Sequence, residues 1–302
     1  MGMKLRVLSD LHIDVNTNNP LKLKDNNDFT LIAGDVSGSP GLSIDWIKKN
    51  VKQGIVIAGN HIVYNIEAKT IQTLKKEMAE AFPKESPITF LDQMTGLMHK
   101  EVNGILFIGT TLYTDYKLYD SDPEYGMKEA FNPMGGLNDF RFGRTNEGNT
   151  SRPLRPTDYL RWFIESKKEM IRILDKNKDK DVVIITHHCP HKKCLQNDIM
   201  RCMELDTSYA SDMSDLILKY PNIKLWVAGH VHQRGSFKVG QCLVVQNPRG
   251  YEHRYETLGF TPDVFVDTDT WTVQRKVKNH LTGEKNLSFM AQAEEKRWEN
   301  SR

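Results

Sequence analysis

Five short stretches of the chain end an apolar run with side chains that can hold a metal or move a proton. SDLHIDV carries Asp10 and His12, LIAGDVSGS carries Asp35, IVIAGNH carries Asn60 and His61, VVIITHHCP carries His187 and His188, and LWVAGHVH carries His230 and His232. Carboxylate, imidazole and amide oxygen are ligands for Zn, Mn or Fe, and one carboxylate can bridge two ions. Asp10, His12, Asp35, Asn60, one of His187 and His188, His230 and His232 supply enough donors for a dinuclear site. Gly34, Gly59 and Gly229 directly precede three of them, where a tight turn lets backbone approach an ion closely. Taken singly, Asp10 or Asp35 after a strand reads as a turn or helix cap, and Asn60 as turn chemistry. Five such segments in one chain read as a site.

These segments lie up to more than 200 residues apart, so the fold has to gather them. Strand patterns occur at Leu5–Leu8, Phe29–Ala33, Ile55–Ala58, Ile88–Leu91, Ile105–Ile108, Val182–Thr186 and Lys224–Ala228. Helical patterns occur at Leu42–Asn50, Ile66–Phe82, Asp158–Lys176 and Tyr209–Tyr220, with Thr157 a candidate N-cap after Pro156. In an open α/β sheet, ligands bind at the C-terminal ends of parallel strands, which is where each chemical segment falls. Residues two apart in extended backbone point to one side, so Asp10 with His12, and His230 with His232, are expected to face together.

After residue 235 the pattern turns to short β-type runs, Ser236–Val239, Cys242–Val245, Val264–Val266 and Trp271–Val277, expected to close the domain as an antiparallel meander. Residues 113–156 are rich in Gly, Pro, Asn and Asp and too long for a connector, so they are expected to form a substrate-covering insertion. Residues 1–277 read as one domain and 278–302 as a charged tail.

The 302 residues are 39% apolar and 26% charged, enough for a sizeable core, and the formal charge of +2 gives no global basic field for nucleic acid. No apolar run reaches membrane-spanning length, and MGMKLRVLSD lacks signal-peptide character, so a cytoplasmic protein is expected. Cys189, Cys194, Cys202 and Cys242 lack zinc-ribbon spacing and read as free thiols. The oligomeric state is not encoded in any pattern of this kind.

Asp10-Leu11-His12, Gly34-Asp35, Gly59-Asn60-His61, His188-Cys189-Pro190 and Gly229-His230-Val231-His232 resemble, in order, the D-x-H, G-D, G-N-H, H-x-P and G-H-x-H signature of the calcineurin-like metallophosphoesterases. The resemblance spans about residues 5–250. It implies an α/β fold, a four-layer sandwich of two mixed β-sheets flanked by helices. It also implies Asp10, His12 and His232 on one ion, Asn60, His188 and His230 on the other, and Asp35 bridging; the spacing to Pro190 selects His188 over His187. The cofactors implied are two divalent or transition metal ions, Mn first, with Fe or Zn as alternatives. A hydroxide held between two such ions would be the nucleophile, so no Ser or Cys is needed. His61, beside a ligand but outside the metal shell, could protonate the leaving oxygen or donate to the phosphate.

Two departures narrow the substrate. Ile62 follows G-N-H where the family commonly has an acid, and GDVSGSPG lacks the Val-Asp-Arg-Gly run of protein Ser/Thr phosphatases. Arg249, Arg141 and Arg144 are candidates for holding phosphate oxygens. Tyr113, Tyr116, Phe140, Phe142 and Tyr251 could stack on a nucleobase or pack a lid. The expected substrate is a small phosphorylated molecule or nucleotide, monoester or diester. A nuclease is the alternative, not favoured without a basic stripe, and a non-catalytic partner-binding scaffold would have no reason to keep the ligands.

Overall fold

Apolar side chains on both faces of the strands force a layered fold. In β1 (Lys4–Leu8), Leu5 and Val7 enter one apolar cluster and Leu8 another, and in β2 (Phe29–Ala33) Leu31 and Ala33 join the first and Ile32 the second. Strands covered on both sides read as continuous apolar runs rather than alternating ones. The computed structural model describes residues 2–24, 27–64, 69–195, 203–275 and 298.

The chain continues through α1 (Pro40–Asn50), β3 (Gly54–Ile57), α2 (Ile71–Ala81), β4 (Ile88–Phe90), β5 (His99–Val102) and β6 (Ile105–Thr110). Then come α3 (Pro123–Ala130), α4 (Asp139–Phe142), β7 (Arg144–Glu147), β8 (Thr150–Pro153), α5 (Pro156–Lys176) and β9 (Asp181–Thr186). The last elements are α6 (Met203–Asp206), α7 (Ser214–Lys219), β10 (Ile223–Ala228), β11 (Gly235–Val239), β12 (Cys242–Gln246), β13 (Val264–Asp267) and β14 (Thr272–Arg275). One six-stranded sheet has the order β14-β13-β1-β2-β3-β4 and the other β11-β12-β10-β9-β6-β5. Strands β1 to β4 run parallel, as do β12, β10, β9 and β6, while β13, β14, β5 and β11 pair antiparallel at the sheet edges.

Val7, Leu31 and Ile57 meet Phe107, Ile185 and Val227 between the sheets, while α1 and α2 cover one outer face and α5 and α7 the other. This is the mixed α/β sandwich expected. The C-terminal ends of β1, β2, β3, β9 and β10 come together at one edge of it, as the contacts below show. Among the described residues no helix is long and apolar enough to cross a membrane.

Several expectations are corrected. The terminal strands do not form one meander: β11 and β12 form a hairpin that joins the second sheet, and β13 and β14 form another that joins the first. Helix α5 starts at Pro156 with Arg155 as N-cap, because proline's fixed φ suits the first helical position, so Thr157 lies inside the first turn. Helix α7 starts at Ser214, not Tyr209, because the intervening backbone is tied to the β9 end, Ser211 N donating to the Cys189 carbonyl at 3.0 Å. The helix expected from Ile66 is described from Ile71; residues 65–68 lie outside the described residues. The stretch 113–156 is not loop alone but holds α3, α4 and the β7–β8 hairpin. Of the cysteines, Cys189, Cys194 and Cys242 are buried free thiols, and Cys202 lies outside the described residues. Most of the expected tail lies outside them too, but Trp298 is buried in the layer between the sheets.

Candidate metal centre

Asp10 and His12 leave β1 with φ of 50° and 44°, Asp35 leaves β2 with φ 52°, and His230 leaves β10 with φ 69°. Positive φ is costly for residues with side chains and persists where surrounding structure fixes it, typically at functional sites. Asp10 and His12 therefore converge through a tight turn rather than through strand alternation. Close approach is built in elsewhere: a Cβ on Gly229 would lie 2.7 Å from Asp10 Oδ2, and one on Gly59 would strike the Asp35 carboxylate.

Asp10 is buried and accepts the His230 backbone N–H at 3.0 Å. His12 Nε2 faces His232 Nε2 at 3.1 Å, and His232 Nε2 is 3.6 Å from Asp10 Oδ1. On the other side, His187 Nε2 lies 2.8 Å from Asn60 Oδ1 and 3.1 Å from Asp35 Oδ2. Asp35 stands between the groups, its Oδ1 accepting the His61 backbone N–H at 3.0 Å. Asp10 with His12 and His232, and Asp10 with Asp35 and His187, each present donor atoms close enough to share one cation.

The histidine pair is corrected by this geometry. His187, not His188, meets Asn60 and Asp35, its Nδ1 held by the Ala33 carbonyl at 2.8 Å. His188 points the other way, stacked on His230 with ring centroids 4.3 Å apart and facing Tyr113 at 5.5 Å. Successive residues leaving a strand project to opposite faces, so only one of the two can reach the site. His230 lies beside His187, with ring centroids 5.0 Å apart.

Do these donors fit metal ions? Ligands sharing an ion at roughly 2.0–2.2 Å stand about 3 to 3.5 Å from one another, and the facing donor atoms here are 2.8 to 3.6 Å apart. His230 Nε2 is buried with no hydrogen-bond partner, an arrangement that costs free energy unless something else fills the role. Charge points the same way. Burial works against the Asp35 carboxylate, yet the neighbouring His187 and His61 hold it well below the usual range. Burial also opposes a charged His187, but Asp35 raises it to about 9; His232 is raised to about 9 against burial by its bonds to Asp10 and Glu256. His12, by burial and by His61, falls to about 3. Protons on His187 and His232 thus balance the two buried carboxylates, where cations would do so. The donor set fits.

The sequence profile of calcineurin-like phosphoesterases matches residues 3–234. The chain belongs to that family. As a calcineurin-like phosphoesterase it is a metal-dependent phosphoric ester hydrolase. A phosphopantetheinyl hydrolase from Mycobacterium tuberculosis has a similar structure, with TM-score 0.67 and 16% identity over 95% of this phosphoesterase and 99% of that chain. A protein assigned as a 5'-nucleotidase from Staphylococcus aureus, in complex with alpha-ketoglutarate, gives TM-score 0.45 at 13% identity over 98% of this chain and 58% of its own. No curated protein sequence matches the phosphoesterase.

The remaining candidate residues are placed as follows. His61 sits at the mouth, its Nε2 3.9 Å from Asp35 Oδ2 and 3.1 Å from the Tyr251 hydroxyl. Arg249 is 2% exposed and turns its guanidinium to the carbonyls of Leu11 and Asn19, a placement that braces the loop after β1. Arg141 binds the Pro133 carbonyl at 2.6 Å and Asn138 at 3.2 Å, and Arg144 binds Ser151, so both are engaged inside the insertion. Tyr113, Tyr116 and Phe140 are buried packing, whereas Phe142 is 56% exposed and Tyr251 lies stacked on His12 at 4.4 Å.

Three residues in or behind the wall of the site were not among the candidates. Tyr64 packs on His61 at 4.2 Å and donates to Asp139 at 2.9 Å. Asp139 is buried in the insertion and also accepts from Tyr159 at 2.6 Å. Glu256 meets His232. Only Tyr64, three residues past His61, was within reach of a motif-centred reading.

Proposed function

We propose that this phosphoesterase hydrolyses a phosphate monoester or diester of a small molecule or nucleotide at a centre of two divalent or transition metal ions, Mn foremost. One observation carries the reading: side chains from five strand ends converge with their donor atoms facing one another and two buried carboxylates among them. Asp10, His12 and His232 would hold one ion, Asn60, His187 and His230 the other, and Asp35 would serve both. Such ions, when bound, acidify water and neutralise charge developing on phosphoryl oxygens.

The protein's own part is positioning and proton transfer. His61 is fixed through its backbone to Asp35 and through its ring to Tyr64 and Tyr251. Partly exposed beside the buried acids, it is the group we assign to place a proton on the leaving oxygen. The insertion 113–156 touches this mouth, with Phe142 against the Tyr64 ring at 5.7 Å, and we assign it to covering the substrate. The fold likeness to a phosphopantetheinyl hydrolase supports including phosphopantetheinyl esters among the candidates.

Metal analysis and a substrate panel test this. Two metal ions per chain, activity abolished by a chelator and restored by Mn, and turnover of some member among phosphomonoesters, cyclic nucleotides, dinucleoside polyphosphates, phosphopantetheinyl esters and aryl diesters are expected. Single-stranded nucleic acid belongs in the panel as the contrary case. Activity with no bound or required metal would sink the scheme.

A further inference from the structure

The family profile ends at residue 234, yet Glu256 reaches the centre. Its Oε2 lies 2.6 Å from His232 Nδ1 and also accepts the Tyr251 backbone N–H at 2.8 Å. The opposite nitrogen of the same ring, Nε2, faces His12 and Asp10. An imidazole's two nitrogens are not independent: a hydrogen bond at one decides which lone pair the other offers.

The chain near Glu256 is built for this approach. Gly250 has φ 74°, and a Cβ there would lie 2.7 Å from Glu256 Cβ and 3.5 Å from His232 Nδ1, so a side chain would push the carboxylate away. The Gly250 N–H donates to the Asp10 carbonyl at 3.0 Å, and its own carbonyl accepts from Asn16 Nδ2 at 2.8 Å. Beyond it, Arg234 donates to the carbonyls of Glu256 at 2.8 Å and Leu258 at 2.7 Å. The segment is thus tied on one side to the loop that carries Asp10 and His12, and on the other to a residue two past His232.

We propose that Glu256 is a positioning residue for the metal centre: its carboxylate holds His232 as the Nδ1–H tautomer, aims Nε2 at the ion shared with Asp10 and His12, and strengthens it as a donor. The general effect is known for carboxylate–histidine–metal arrangements, where losing the outer partner costs about 10- to 100-fold in affinity. This inference rests on His232 being a ligand, as in the reading above.

The test is calorimetric titration of chelator-stripped protein with Mn(II). Wild type is expected to bind two ions. Glu256→Ala should weaken one of them about 10- to 100-fold and leave the other nearly unchanged. Glu256→Gln should weaken the same one less, because its amide oxygen still accepts the N–H without the charge. Unchanged binding in both variants, or equal weakening of both ions in Glu256→Ala with a lowered melting temperature, would overturn the role. If Glu256→Ala does not fold, the near-isosteric Gln variant decides alone. Wild-type protein that takes up no Mn(II) would instead remove the metal centre itself, and Glu256's role with it.

Discussion

The strand ends and the rim around them are built by different rules. At the strand ends, Asp10, Asp35, Asn60, His187 and His230 each follow one strand, and they meet between the two sheets, the ends of β1 and β10 in Asp10 with His230 and those of β3 and β9 in Asn60 with His187. At the rim, Tyr64, Asp139, Tyr251 and Glu256 come from loops and the insertion, and each is placed by contacts to segments distant in sequence, as in Tyr64 with Asp139 and His61 with Tyr251. Two packed sheets can therefore hold those donors without help from the rim. The metal centre should depend chiefly on the first set, with Glu256 reaching it through His232, and proton transfer and substrate choice on the rest of the second.

The strand-end rule is broken hardest by choosing between adjacent histidines. His187→Ala should lose one ion and at least about 10³-fold in kcat/KM, about 4 kcal/mol of transition-state stabilisation. His188→Leu should keep both ions, because His187 alone of the pair meets Asn60 and Asp35 and the His188 ring packs against His230 and Tyr113. Metal content of the two variants decides; loss of an ion from His188→Leu alone would reverse the assignment.

His61 tests the boundary between the regions, since its backbone belongs to the strand end and its ring to the rim. His61→Ala should retain both ions and lose about 10²- to 10⁴-fold on esters with poor leaving groups. The loss should shrink on a nitrophenyl ester, whose leaving oxygen hardly needs a proton. An equal loss on both substrates would assign the ring to holding phosphate instead.

How much was legible follows from the same contrast. Apolar runs ending in Asp, Asn or His marked the strands and the side chains that the structure gathers at their ends, because strand and side chain are adjacent in sequence. His187 was misread because spacing to Pro190 says nothing about which of two successive side chains turns inward. Arg249 was read for its charge, but burial among the carbonyls of Leu11 and Asn19 is a tertiary fact. The two C-terminal hairpins were legible as strands, whereas the sheet each joins depends on pairings outside the hairpin, Leu243 on Leu225 for one and Val266 on Leu5 for the other. Ile62 replaces an expected acid and is itself buried in the apolar core, while Asp139, the carboxylate that Tyr64 meets, lies 75 residues further along the chain.

Tyr64→Phe asks whether the insertion reaches the chemistry. It removes one of two tyrosine donors to the buried Asp139 while leaving the ring against His61. Leaving that carboxylate oxygen unpaired should cost about 1–3 kcal/mol of stability. Activity should fall within roughly tenfold, with both ions kept. A variant unchanged in both would detach the insertion from the mouth of the site.

The smallest effect is expected where the insertion is fastened to the body, at Asp158 on α5. Its carboxylate accepts two bonds from Arg152 of β8 at 2.7 Å each and the Arg155 N–H at 2.9 Å. Burial alone would raise its pKa, but Arg152 and the Arg155 N–H outweigh it and hold the group below its ordinary 3.8. A depressed pKa in the folded state means that the unfolded chain binds the proton more readily, so the contribution is present in full above pH 3.8 and is lost as pH falls below that value through the folded pKa. Asp158→Asn should therefore lower the urea midpoint of metal-free protein near neutral pH, by about 1 kcal/mol in stability. The gap to wild type should close as the pH drops below about 4. Comparing the two proteins at each pH cancels the protonation of the other carboxylates. Metal content should not change, because the pair lies in the rim's anchorage and touches none of the donors. If the gap stayed constant down to acid, the Asp158 charge would not be what holds the insertion in place.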